Sequence, residues 1–258
     1  MRDLLPIRRE MPGRRTDILC LFLTGVILAM LAADLAPLLP NLDPAKMGVD
    51  YHLYLDVTSR WLGGGPYYEP WQVAGPYATV PGVVLYPPPF TLVVAPFLVL
   101  PWIAWWALPI GIVIAVTVRV RPRVVAWPLI AFCLWFPGTT VMVVAGNPTM
   151  LFVAAVSLAT VWWWPGVFVL LKPTLLPFAL VGVWRRSWWI ALGVLVLVGL
   201  PFWSMWVDYA KVLLNARNTN GLLYNLGQAP TMLLPVAAWL GRSRTPESTE
   251  IGSGTVAA

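Results

Sequence analysis

Between Val124 and Leu171 the chain reads VVAWPLIAFCLWFPGTTVMVVAGNPTMLFVAAVSLATVWWWPGVFVLL, without one Asp, Glu, Lys or Arg. A second charge-free stretch runs from Gly82 to Val118. A soluble domain carries about 25% charged residues and does not go without them over such lengths. Here the whole 258-residue chain is 59% hydrophobic and 11% charged. Roughly 20 apolar residues make one helical span of a bilayer. The runs are continuously apolar rather than alternating with period two, so they read as helices and not as strands of a barrel. The expected fold class is an all-α polytopic membrane protein.

Charge placement sets the expected orientation. The formal net charge is +6, yet the basic residues form no stripe with interleaved aromatics, which argues against a nucleic-acid partner. Instead, 12 of the 17 basic residues fall in four short segments: Arg2 to Arg15, Arg119 to Arg123, Arg185-Arg186, and Arg242 to Arg244. The positive-inside rule makes these segments cytoplasmic. Residues 1–16 then form a basic cytoplasmic N-terminus, and 17–240 a single transmembrane domain. Residues 241–258, polar and rich in small side chains, form a disordered tail. The first apolar segment, Ile18 to Leu39, is longer than a signal-peptide core and reads as a retained anchor. The spans that follow are Trp102–Val118, Val124 to about Pro137, Pro148–Trp164, Trp188–Trp206 and Thr231–Leu240, with an external segment from Val207 to Ala229.

Residues 41–84 form an outer loop too long to be a mere connector. Six of the eight tyrosines fall between Tyr51 and Tyr86. Tyr51, Tyr54, Leu55, Thr58, Trp61 and Leu62 recur at helical spacing, predicting an amphipathic helix on the membrane surface. Asp50 would cap its start and Gly63 to Gly65 would end it. Asp56 and Arg60, four apart, would pair on it. A second surface helix is expected over Phe90–Leu100, opened by Tyr86-Pro87-Pro88-Pro89. From Pro165 to Trp184 both ends face the cytoplasm on this topology. Two half-length helices meeting at Lys172-Pro173 satisfy that, because proline breaks a helix.

Lys172 is the only charged residue between Arg123 and Arg185. A charge inside a membrane faces a cavity and an anionic partner, and a lipid phosphate suits an ammonium; the bland alternative is a snorkelling lysine. Asp50 is the candidate general base, able to take a proton from a sugar hydroxyl, with a plain helix cap as its alternative. His52 is the single histidine. Neither Cys20 nor Cys133 has a metal-ligand neighbour, so no metal or cofactor is expected.

The order of these elements resembles a known family. Asp50-Tyr51, Leu62-Gly63 with Pro66-Tyr67, Tyr86-Pro87-Pro88, Pro96, Leu100-Pro101, Gly146-Asn147 and Lys172-Pro173 before Arg185-Arg186 are similar to the polyprenol-phosphate-mannose-dependent mannosyltransferases of glycosyltransferase family eighty-seven. The resemblance covers roughly Thr16 to Pro235. It implies a GT-C fold with two membrane-surface helices in the first outer loop, in the plasma membrane of a cell envelope. The implied reaction is inverting transfer of a hexose, mannose in the family, from a polyprenyl phosphate to a glycolipid or glycan hydroxyl. Asp50 would be the base, and Lys172, Tyr86 and Asn147 would face the donor phosphate. Tyr51, His52, Tyr54 and Tyr67 would line the substrate. Family members carry further spans beyond the point where this chain turns polar, so the resemblance is to a C-terminally short member. The element that often reads Gly-Gln-x-Asn is here Gly146-Asn147-Pro148-Thr149. A non-catalytic lipid- or glycan-binding subunit that works with a partner chain is the alternative. The lack of an internal repeat argues against a transporter.

Overall fold

Apolar sequence satisfies its own backbone by coiling, and the chain is mostly helical. The computed structural model describes residues 13–37, 47–79, 82–217 and 227–243. Most of the basic N-terminus and of the expected disordered tail lies outside the described residues.

Along the chain, α1 (Arg14–Leu35) is a 22-residue apolar helix. The expected surface helix is α2 (Val49–Leu62), which begins after Gly48 at φ 75° and buries Tyr51, Tyr54, Val57 and Thr58. A short α3 (Pro70–Ala74) follows, and Glu69 and Gln72 cap it reciprocally. The two-residue strand β1 (Tyr77–Ala78) pairs in parallel with β2 (Ala216–Arg217). The second expected surface helix is α4 (Phe90–Val94), extended by one 3-10 turn through Leu98. The body then consists of α5 (Ala104–Val120), α6 (Trp127–Trp135), α7 (Pro137–Ala145) and α8 (Thr149–Trp162). A 3-10 stretch (Trp164–Leu171) and the single-turn α9 (Leu176–Ala179) lead to α10 (Arg186–Gly199) and α11 (Trp203–Asn215). The last described helix is α12 (Ala229–Leu240). Helices α5, α6, α8 and α12 pack on one another, and α1 lies outside them along α6.

Among the described residues, two helices are long and apolar enough to cross a membrane: α1, and the 30-residue run Arg186–Asn215 that joins α10 to α11. A third qualifies if the bent pair α6 and α7 counts as one span. Several sequence expectations are corrected here. The helix starting near Val124 does not finish at Pro137. Phe136 goes extended before the proline, the helix bends by 55°, and α7 continues to Ala145, as a proline that lacks an N–H and restricts its predecessor requires. Val207 does not begin a loop, since α11 runs on to Asn215. At about 1.5 Å per residue the whole run is ~45 Å long, beyond the ~30 Å of a hydrocarbon core. Arg60 ignores Asp56 and pairs with Glu69, while its Nε donates to the Pro66 carbonyl at 2.8 Å. That clamp ties the end of α2 to the start of α3.

The two ends of the body differ in the charges they gather. Trp135, ending α6, donates to Asp34, ending α1, at 2.8 Å, and α1 also touches residues 124–126. The two helices are therefore parallel, with Arg14 and Arg123 at the same end. There Arg123 N–H donates to the Gly241 carbonyl at 2.8 Å, and Ser243 N–H to that of Arg121 at 3.3 Å. Arg185 lies 5.2 Å over the Trp163 ring. Described members of all four basic segments thus gather at one end. At the opposite end meet the starts of α2, α5, α8 and α12.

That far end closes around glycines. Gly146 adopts φ 65°, and a Cβ there would meet Trp106 at 2.9 Å, Tyr51 at 3.0 Å and Gly48 at 3.1 Å. Trp105 and Trp106 donate their indole N–H groups to the carbonyls of Gly146 (2.8 Å) and Val143 (2.7 Å). Gly146→Ala is expected to lower the melting temperature in detergent, since the left-handed backbone alone costs an alanine about 1–2 kcal/mol. Gly25→Ala in α1, where nothing lies within 4 Å, is expected to leave it unchanged or raise it.

Candidate functional site

The turn between α7 and α8 builds the site. Gly146 ends α7 in the left-handed region, and the two indole bonds hold that turn against α5. Asn147, next in line, therefore points at α2. Its Nδ2 donates to Asp50 Oδ2 at 2.6 Å. Its Oδ1 accepts from the Thr149 backbone N–H at 3.0 Å and sits 2.6 Å from the Thr149 hydroxyl, the local bonding that short polar side chains offer at helix starts.

Asp50 does not cap α2 as expected. Gly48 holds that position, and no side chain caps the helix. Asp50 instead sits in the first turn, where the helix dipole favours a carboxylate. Burial raises its carboxyl above the ordinary value of 3.8, while the Asn147 hydrogen bond and the Lys172 charge act to lower it.

Lys172 approaches from below. The 3-10 stretch Trp164–Leu171 climbs from the basic end alongside α8, breaks at Lys172 (φ −131°, ψ 85°), and the chain descends again through Pro173–Ala179. The break falls where the sequence placed it, although the rising half is 3-10 rather than α. At the tip, Lys172 Nζ donates to Thr149 Oγ1 at 2.5 Å and to Gln228 Oε1 at 2.7 Å. It lies 5.4 Å from the centre of the Tyr86 ring. An ammonium only donates, so the Gln228 atom facing it is the oxygen, and the Gln228 NH₂ is left for other partners. Thr149 Oγ1 is also 3.1 Å from Gln228 Oε1. With one hydrogen, that hydroxyl serves either Gln228 or Asn147 at a time.

These side chains share one cavity of about 230 Å³, lined by Asp50, Tyr54, Tyr86, Asn147, Lys172 and Gln228, with Tyr209 and Leu213 of α11 on its far wall. Tyr86 is held by its own loop. Tyr68 Oη donates to the Tyr86 carbonyl at 2.8 Å, and the Tyr86 ring stacks on Phe90 at 4.3 Å. The fully buried Gln72 donates to the Val84 carbonyl at 3.1 Å.

Three residues expected at the substrate do not line this cavity. Tyr51 is buried between Trp105 and Trp106, at 5.4 and 5.3 Å between ring centres. Tyr67 is buried edge-on against Tyr68 at 4.8 Å, and His52 is exposed. Thr149, Gln228 and Tyr209 belong to the site without having been singled out. Gln228 is one of only two glutamines, but nothing in its position before an apolar run separates it from an ordinary helix start. Among the described residues, no three His, Cys, Asp or Glu side chains gather where they could hold a metal ion.

Beside the cavity lies an apolar groove of about 490 Å³ walled by Pro87, Pro89, Leu170, Leu171, Gly199 and Trp203, among others. Its walls continue directly into the polar site, since Tyr86 precedes Pro87 and Leu171 precedes Lys172.

Comparison with family models, with curated proteins and with solved structures finds no match for this chain.

Thr149→Val removes the hydroxyl that links Asn147, Gln228 and Lys172 while keeping the side chain's shape. It is expected to destabilise the protein by about 1–3 kcal/mol, because a charged donor loses an acceptor. Thermal unfolding of the two proteins side by side measures this.

Proposed function

We propose that the chain is a multi-pass membrane protein with its basic end in the cytoplasm, and that its polar cavity is a glycosyl-transfer site at the outer face. The donor is a polyprenyl-phosphate sugar, mannose on the family resemblance, and the acceptor a hydroxyl of a glycolipid or glycan. One observation carries the reading: Asp50 and Lys172, far apart in sequence, meet at one cavity through Asn147, Thr149 and Gln228. A carboxylate and an ammonium joined across a site suit a reaction in which a hydroxyl proton is removed and a phosphate leaves.

The step is a direct displacement. Asp50 takes the proton of the acceptor hydroxyl, whose oxygen bonds to the anomeric carbon. The bond from that carbon to the phosphate oxygen breaks, and the phosphate keeps the electron pair and departs as an anion. Attack opposite to the leaving group inverts the anomeric centre. Asn147 holds Oδ2 of Asp50, which leaves Oδ1 to receive the proton. Lys172 sets positive charge where the phosphate gains negative charge, and losing one such donor typically costs about 10²–10³ in rate. The aromatic faces of Tyr54 and Tyr86 suit a sugar ring, and the apolar groove beside them suits the polyprenyl chain.

Transfer from radiolabelled polyprenyl-phosphate-mannose to a lipid extract, by the protein in nanodiscs, tests this. Asp50→Asn should abolish product while the donor stays bound, and Lys172→Ala should weaken donor binding. No product from the wild type, with the donor still retained, would make the chain a binding subunit. Equal product from wild type and Asp50→Asn would remove Asp50 from the chemistry.

The pH profile carries a sign. Activity needs the Asp50 carboxylate, so it falls as pH drops through the carboxyl's raised pKa. Asn147→Ala deletes a hydrogen bond that lowers this pKa. The acid limb should therefore move to higher pH in Asn147→Ala, and an unmoved or lowered limb would contradict Asp50 as the base.

A further inference from the structure

Gln228 stands at the start of α12, yet its side chain makes no capping bond there. It lines the polar cavity instead, together with Asp50, Asn147 and Lys172. The carboxamide is fixed by its oxygen. Oε1 accepts from Lys172 Nζ at 2.7 Å and lies 3.1 Å from Thr149 Oγ1. Among the described residues no acceptor meets the NH₂ at the other end of the amide. An amide nitrogen carries two donor hydrogens, and both remain for whatever enters the cavity.

Lys172 has a surplus of the same kind. Two of its N–H groups go to Thr149 and Gln228, and an ammonium has three. Both acceptors are neutral. Asp50 bonds Asn147 and forms no ion pair with Lys172, so the ammonium keeps its charge for an anion. Covalent geometry makes the two surplus donors neighbours. Nε2 is bonded to the carbon that carries Oε1, which places it within about 5 Å of Nζ. A charged N–H···O bond is about 2.7–2.9 Å long, so one phosphate can meet both groups through two of its oxygens.

We propose that Gln228 is a second phosphate-binding residue, whose NH₂ donates to one oxygen of a lipid-linked phosphate while Lys172 Nζ donates to another. The inference rests on the reading of the cavity as a site for a polyprenyl-phosphate donor. Lys172 turns the carboxamide so that its oxygen faces the ammonium and its nitrogen faces the ligand. The phosphate carries one negative charge in the donor and gains a second as the sugar leaves. Donors already aimed at those oxygens are stronger partners of the leaving group than of the donor. The phosphate belongs to a lipid rather than to free solution because the apolar groove walled by Leu170, Leu171 and Trp203 continues from this cavity.

A double-mutant cycle on the full chain in nanodiscs tests this, with tritiated farnesyl phosphate as probe and farnesol as its uncharged control. Lys172→Met comes first. Thr149 can still donate to Gln228 Oε1, and no ammonium is left unmet when Gln228→Ala is added. A Gln228 that binds phosphate directly should still count in that background. Adding Gln228→Ala to Lys172→Met should weaken farnesyl phosphate binding about tenfold more, the usual loss for one hydrogen bond to a charged group. Farnesol binding should not change. If Gln228 only braced Lys172, the second substitution would cost nothing further, and that result would overturn the proposal. An equal loss of farnesol would overturn it too, and so would a wild type that binds no farnesyl phosphate. Full displacement by millimolar inorganic phosphate would overturn the lipid as the source. Sugar transfer without the further Gln228 loss would defeat this inference and keep the enzyme. The further loss in a protein that transfers no sugar would do the reverse.

Discussion

An ammonium can be kept inside an apolar helical body only where oxygens meet it, and much of the site follows from how Lys172 is met. Thr149 and Gln228 supply those oxygens. Thr149 must then sit at the very start of α8, and Gln228 directly before α12. The 3-10 stretch before Lys172 must rise to the same level, and Pro173 turns it back. Asp50 closes the set through Asn147, so that a positive and a negative group share one cavity. Unmet, either charge would cost several kcal/mol in such surroundings.

Glycine and tryptophan make this placement accurate. The turn presenting Asn147 is pinned by two indole N–H bonds, and Gly48 and Gly146 pack too closely for side chains. The segment that follows α2 is held just as firmly, through the Arg60 clamp, the Gln72 bond and the Tyr68 bond. Asn215 joins α11 to that segment by donating to the carbonyls of Gln72 (3.0 Å) and Val73 (3.1 Å). The continuation of α11 beyond the apolar part of its run is thereby explained: its second half is a wall of the cavity.

The two ends of the molecule divide its chemistry. One gathers arginines and indoles, the other a balanced acid–base pair under tyrosines. A groove of apolar side chains starts at the second and follows α10 toward the first.

Composition and charge-free runs determined by themselves that the chain is helical and suited to a membrane, because a backbone away from water must bond within itself and runs without period-two alternation do so as helices. Helical spacing of tyrosines located α2, and the single charge between Arg123 and Arg185 marked Lys172. Proline marked its break. These are local signals, carried by composition and by neighbours in sequence. The partners were not legible. Nothing local distinguishes Gln228 from any helix start, or tells that Arg60 pairs with Glu69 rather than Asp56. Tyr51 and Tyr67 share the periodicity and aromatic character of Tyr54, yet only Tyr54 reaches the cavity. Which side chain faces a cavity depends on the rotation of each helix against its neighbours, and that is set by close packing among residues up to about 180 apart in the chain. Only the tertiary structure decided it.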